Sequence, residues 1–213
     1  MNRDDNEPHS TLSGLSAASR HDAFGAGLPP PDALEPFPEY PFYQHSERTV
    51  TGTLSAAVQV ALDFTRQCMD CHYRVDSVVG QEIFAREQNP YRFIVWQDVS
   101  KQILPKLHVK SSSFAEVGLF GSAAEHRYFI DTKSLEKETA ERAASHHQRR
   151  SAPAFAVLHS RWTFNAQPSA NTVTIRLEAG GRTSGIANLI PKPILRYELK
   201  NVIEESLRFY EQL

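Results

Sequence analysis

The segment PKPILRYELKNVIEESLRFYEQL, residues 191 to 213, constrains the fold more than any other stretch. Leu195, Leu199, Val202, Ile203, Leu207 and Tyr210 recur at helical spacing. Lys200, Glu204, Glu205 and Arg208 fall on the other side, so the pattern predicts one long amphipathic helix. Such a helix draws most of its stability from packing its apolar stripe, so it needs a broad apolar partner. The residues upstream supply one. AFAVLHSRWTF and NTVTIRLEAGG read as strands separated by the turn NAQPSA. HVKSSSFAEV and SAAEHRYFI read as two further strands, joined by a turn from Gly118 to Gly121.

Further upstream the pattern changes. NPYRFIVWQDVSKQILPKL predicts a helix, with Asn89-Pro90 as its opening and Pro105 as its end. Residues 73 to 86 are rich in β-branched side chains and read as a strand, with a break at Gly80. Residues 54 to 70 carry Leu54, Val58, Leu62, Thr65 and Met69 on one helical stripe, with Thr53 as N-cap. Residues 131 to 152 are charged and poor in large apolar side chains, which suits an exposed helix or a mobile insert. Strands do not alternate with helices as a parallel sheet would require. The expected class is α+β: a curved antiparallel sheet wrapped around the long C-terminal helix, with an extra N-terminal helix and tail. The expected divisions are a disordered tail rich in proline and aromatics at 1–48, an accessory helix at 49–72 and a ligand-binding domain at 73–213.

The tail contains GLPPPDALEPFPEYPFY, residues 27 to 43, where proline density disfavours regular pairing. Phe37, Tyr40, Phe42 and Tyr43 could dock it on the folded body or on a protein partner. A formal net charge of -2 argues against nucleic-acid binding, which usually leaves a basic footprint. No run of 18 apolar residues predicts a membrane-spanning helix. The start, MNRDDNEPHS, has no basic region leading into an apolar core, so neither a secretory signal nor a transit peptide is expected. With two cysteines there is no disulfide framework, and a reducing, intracellular setting is the expectation.

Those cysteines lie in RQCMDCHYR, as Cys68-x-x-Cys71-His72. The spacing matches a c-type haem attachment, a redox dithiol or half of a zinc site. A helix continuing through residue 72 would bring all three side chains to one face. Against haem, a sixth ligand would have to be another histidine, because the methionines are Met1 and Met69. Against zinc, no second pair of ligands follows the spacing of structural sites. The plain alternative is two small half-buried hydrophobes at a helix end. His146-His147 and the glycines of EAGGRTSG are better explained by a solvated helix end and by a strand-end turn. Ser184 lacks a nucleophile elbow and Glu204-Glu205 lies on a helix flank, so no catalytic set emerges and no enzyme is expected.

A more diffuse signal is the set of large apolar residues on elements that would face the last helix: Phe93, Trp96, Leu104, Phe114, Tyr128, Phe155, Trp162 and Phe164. Each is ordinary core material alone; together they fit an apolar ligand pocket. Two stretches then resemble the START-like helix-grip superfamily, in its coenzyme Q-binding branch. YRFIVWQDVSKQILPKLHVKSSSF is similar to that branch through Asp98, Val99, Leu104, Pro105 and Ser111, and LHSRWTFNAQPSANTVTIRLEAGG through Trp162 and Phe164. The likeness spans roughly residues 75 to 213. It departs from the branch in the charged stretch between Ile130 and Phe155, and in the helix at 54–70, which has no assigned counterpart. The resemblance implies non-enzymatic binding and transfer of a hydrophobic lipid-like ligand, a prenylated quinone, in support of respiratory electron transport. It implies no fixed cofactor beyond a bound quinone or lipid, and a mitochondrial site on the matrix side of the inner membrane, or else the cytoplasm. Leu189, Ile190 and Pro193 would form a lip for peripheral membrane contact.

Overall fold

The computed structural model describes residues 27–67, 75–81, 92–104, 107–146, 156–183 and 188–212. One antiparallel sheet dominates it. Its strands are β1 (Phe42–Thr51), β2 (Val75–Gln81), β3 (Arg92–Leu104), β4 (Leu107–Ser122), β5 (Arg127–Ser134), β6 (Ala156–Gln167) and β7 (Thr172–Thr183). Helix α1 (Leu54–Gln67) lies between β1 and β2, α2 (Lys137–His146) between β5 and β6, and α3 (Lys192–Arg208) follows β7. The spatial order is β1-β7-β6-β5-β4-β3-β2, so the first strand crosses over to pair with the last and the rest form a meander. Seven antiparallel strands with α1 and α3 packed against them make a helix-grip fold of the α+β class.

The core lies on one face. Alternation in β6 and β7 buries Trp162, Phe164, Val173, Ile175 and Leu177 on the side of α1 and α3. The register aligns Trp162 with Leu177 and Ile130, and Phe164 with Ile175 and Tyr128, which makes that inner face continuous across three strands. Helix α1 places Ala57, Val58, Ala61 and Leu62 against it, and α3 contributes Ile203 and Leu207. The 3-10 turn that follows α3, Phe209–Gln212, meets α1 where the Tyr210 hydroxyl donates to the Ala57 carbonyl at 2.8 Å. Helix α1 is therefore part of the core that the sheet grips, although the resemblance offered no counterpart for it.

Four expectations are corrected. Residues 92 to 104 form β3 and not a helix: the run Phe93-Ile94-Val95-Trp96 favours a strand, and pairing with β2 on one side and β4 on the other settles the choice. Gly118 and Gly121 lie within β4 and not in a turn, and each leaves room for a ring: a methyl at Gly118 would sit 2.8 Å from the Phe120 ring, and one at Gly121 would strike Tyr128. The turn falls at residues 123 to 126, where His126 adopts φ 51° and the Ser122 hydroxyl accepts the Glu125 amide. The disordered-tail boundary at 48 is also moved, because β1 begins at Phe42 and pairs through ten residues with β7. Finally, the break expected at Gly80 is absent: β2 runs through Val75–Gln81, and Gly80 pairs within it with Val95 of β3. The charged stretch after β5 forms α2, whose Glu138, Arg142 and Ser145 are exposed, as its composition predicts.

Candidate ligand-binding site

The inner face is graded from one end to the other. At the end nearest the α1–α3 junction it carries large side chains: Tyr128, Phe164 and Trp162, the last only 3% exposed. Trp162 is packed by Phe64 of α1 and by Tyr210, with ring centroids 6.0 Å away in each case. Burial pushes the Tyr210 hydroxyl far above its ordinary pKa, so it serves as a neutral donor to Ala57. That end is closed.

At the other end the same strand faces carry small residues. Register places Ala115 beside Ser134, Thr132 beside Ser160, Ser160 beside Ala179, and Leu158 beside Gly181. Small side chains leave space that large ones upstream fill. Leu158 is 37% exposed here, and Thr132, Ser134 and Ser160 are only half-buried. The Thr132 Oγ1 atom is itself buried and has no hydrogen-bond partner among the described residues. A hydroxyl in that position costs free energy unless something pairs with it. This end of the inner face thus mixes apolar Ala115, Leu158 and Ala179 with the hydroxyls of Thr132, Ser134 and Ser160.

An exposed apolar lip lies between the end of β7 at Thr183 and the first turns of α3, in the residues from 189 onward. Leu189 is 82% exposed, Tyr197 63% exposed, and Ile190, Pro193 and Ile194 also face outward. Lys192, Arg196 and Lys200 are exposed among them. The first half of α3 is thus apolar and basic on its surface, while its second half carries Ile203, Ser206 and Leu207 in the interior. Below the lip, α3 meets β1 through polar contacts: the Ser46 hydroxyl donates to Glu204 at 2.9 Å, and Arg48 donates to the Leu207 carbonyl and to Glu211.

The residues singled out by sequence separate into groups. Tyr128, Trp162 and Phe164 come together, as packing of the closed end. Phe114 is buried but lies outside that core cluster, because it alternates in β4 with the inward-facing Ala115, Val117 and Leu119. Phe93 and Trp96 stand in register with Val117 and Phe114, and Leu104 pairs with Leu107 at the β3–β4 tip. Leu189, Ile190 and Pro193 form the lip. Pro105 and Phe155 lie outside the described residues, as do Cys68, Cys71 and His72. Among the described residues no group of three or more His, Cys, Asp or Glu side chains is placed to hold a metal.

Sequence reasoning missed a cluster on the outer face. Asp131, His159 and Arg161 are all buried there, His159 to 1% exposure. His159 Nε2 donates to Asp131 Oδ1 at 2.7 Å and Arg161 Nε donates to the same oxygen at 2.8 Å. Lys133 Nζ lies 3.6 Å from the other carboxylate oxygen. Burial alone would raise the Asp131 pKa, but the hydrogen bond and charge of His159, with those of Arg161, hold it below the ordinary carboxylate value. Residues 28 to 41 run over this cluster as a strap. Phe37 stacks on the His159 ring at 4.3 Å, the Tyr40 hydroxyl meets His159 Nδ1 at 3.1 Å, and Arg161 Nη2 donates to the Glu35 carbonyl at 2.9 Å. Burial, then the charge of Asp131, raises the Tyr40 pKa, which leaves its hydroxyl protonated. A cleft of about 310 Å³ remains between strap and sheet, walled by Pro29, Leu34, Arg92, Glu116, Asp131 and Lys133. The only trace in sequence was a His and an Arg two residues apart on one strand, beside a segment rich in proline and aromatics.

No protein-family model matches the sequence, and no curated protein matches it. Among solved structures, the chain is similar to a conserved protein from Geobacillus kaustophilus at 10% identity and a TM-score of 0.46, over 80% of this chain and 93% of that one. It is also similar to a START superfamily protein from Mycobacterium smegmatis at 9% identity and a TM-score of 0.39, over 79% of this chain and 92% of that one. A protein from Deinococcus radiodurans stands at 14% identity and 0.39, covering 80% of this chain and 98% of its own. Among the described residues no helix is long and apolar enough to cross a membrane.

Proposed function

We propose that this chain is a START-like carrier that binds a hydrophobic, lipid-like ligand in the recess between the inner face of the sheet and its two helices, without catalysing a reaction. The observation that carries this reading is the graded inner face: closed by Trp162 and Phe164 at one end, and accessible around Leu158, Ser160 and Thr132 at the other. An apolar tail would be buried there at about 25 cal/mol per Å² of surface removed from water. The unpartnered Thr132 hydroxyl would donate to a carbonyl or other acceptor on the ligand head. A prenylated quinone, with an isoprenoid tail and ring carbonyls, is the ligand class that meets both requirements. The lip would exchange it with a bilayer, Leu189, Ile190 and Ile194 entering the interface and Lys192, Arg196 and Lys200 meeting anionic head groups.

Organic extraction and native mass spectrometry of the purified protein test this directly. A co-purifying lipid, or uptake of a ubiquinone analogue from vesicles, is expected. Ser160→Phe fills the recess and abolishes uptake while the fold remains. No bound lipid, together with unchanged uptake in Ser160→Phe, would overturn the reading.

A further inference from the structure

The outer face of a gripping sheet normally meets solvent, and buried charge there needs a reason. Asp131, His159 and Arg161 are as buried as the core, and the strap over them is not built like core. It joins no strand ladder, since β1 starts only at Phe42. Its main chain is tied to the sheet by the Gly121 amide donating to the Pro29 carbonyl at 3.0 Å and by Arg161 donating to the Glu35 carbonyl. The remaining contacts are side chains in a fitted seat. Phe37 lies between the His159 ring, the Arg161 guanidinium at 5.3 Å and the edge of Tyr43 at 5.8 Å. Tyr40 rests on Gly180, where a methyl would come within 2.6 Å of its ring. Lys133 reaches Glu35 at 3.4 Å. Pro31 opens a short 3-10 turn, Pro31–Ala33, and Pro36 and Pro38 stiffen the residues after it, which lowers the entropy lost on docking.

This is how peptide-binding surfaces take proline-rich ligands: a stiff extended chain, an aromatic anchor, one charged contact and few main-chain bonds. We infer that the outer face carries a peptide-recognition site, built from Asp131, His159, Arg161 and Gly180, for a proline-flanked aromatic and acidic segment, and that residues 35–40 of this chain occupy it as a releasable tethered ligand. Asp131 fixes the two donors: with Nε2 committed to the carboxylate, Nδ1 on the other side of the ring is left to meet the Tyr40 hydroxyl at 3.1 Å. Tethering keeps the strap at high local concentration, so a free peptide of the same sequence is excluded until the anchor is weakened.

The probe is a fluorescent peptide of residues 28–41 added to the full-length chain, with binding read by anisotropy. Phe37→Ala in the protein weakens the tethered strap without altering the seat. This variant should bind the peptide at least about tenfold more tightly than the unaltered chain does. A peptide carrying Phe37→Ala should bind neither protein. Gly180→Ala, whose methyl occupies the place of the Tyr40 ring, should release the strap yet take up no peptide. If the Phe37→Ala chain is merely less heat-stable and binds the peptide no better than the unaltered chain, the strap is a structural cover and the inference fails. Equal binding of the two peptides would overturn it as well.

Discussion

Asp131→Ala measures how dry the outer-face cluster is. The substitution removes the acceptor shared by His159 Nε2 and Arg161 Nε and leaves a guanidinium that is 7% exposed without its carboxylate. Leaving one member of a buried ion pair uncompensated costs about 3–5 kcal/mol. For a chain of this size each kcal/mol moves Tm by roughly 2–4 °C, so a fall of roughly 6–20 °C is expected. Urea unfolding followed by circular dichroism gives the free energy, and a thermal scan gives the shift. The double variant Asp131→Ala with Arg161→Ala removes both charges and should cost less than the two single changes together, by roughly 0.5–3 kcal/mol. The effect also has a pH signature. The folded carboxyl is held below its ordinary value of 3.8, so its contribution is complete above that value and fades as pH falls through the lower folded pKa. The stability gap between the two proteins should therefore be constant near neutrality and close in strong acid, below about pH 4. A single-variant loss under about 1 kcal/mol, or strict additivity in the double variant, would mean that water screens the cluster and that the strap does not seal it.

Other substitutions probe the inner face and the lip. Phe164→Ala, at a residue with no exposure, should cost about 3–5 kcal/mol in urea unfolding through the cavity it leaves. Tyr210→Phe removes the donor to Ala57 and should cost about 1 kcal/mol, seen as a small drop in Tm. Leu189→Ser with Ile194→Ser should leave Tm unchanged, because both side chains are already exposed, yet reduce co-sedimentation with anionic vesicles. High salt should weaken that co-sedimentation in the unaltered chain, as expected if Lys192, Arg196 and Lys200 take part.

The sequence by itself determined the elements whose signals are local and periodic. The stripe Leu199, Ile203 and Leu207 fixed α3, the stripe Val58, Leu62 and Thr65 fixed α1, and the turn NAQPSA between two alternating runs fixed the β6–β7 hairpin. Alternation also assigns Trp162 and Phe164 to one face of β6, while the β5–β6 register is what sets Tyr128 beside them. Only the tertiary structure decided β3 and β1. Asn89-Pro90 reads as a helix opening ahead of residues 92 to 104, and pairing of those residues with two neighbouring strands overrode it. β1 lies beside a proline-rich segment that hides it, and its partner β7 is more than a hundred residues away in the chain. The same distance concealed both candidate regions. Ala115, Thr132, Ser160, Ala179 and Gly181 come together across four strands, and no window of sequence shows that small residues will coincide there. Asp131, His159 and Arg161 are unremarkable in sequence because burial of a charge is a property of what covers it, and the strap that covers them comes from the other end of the chain.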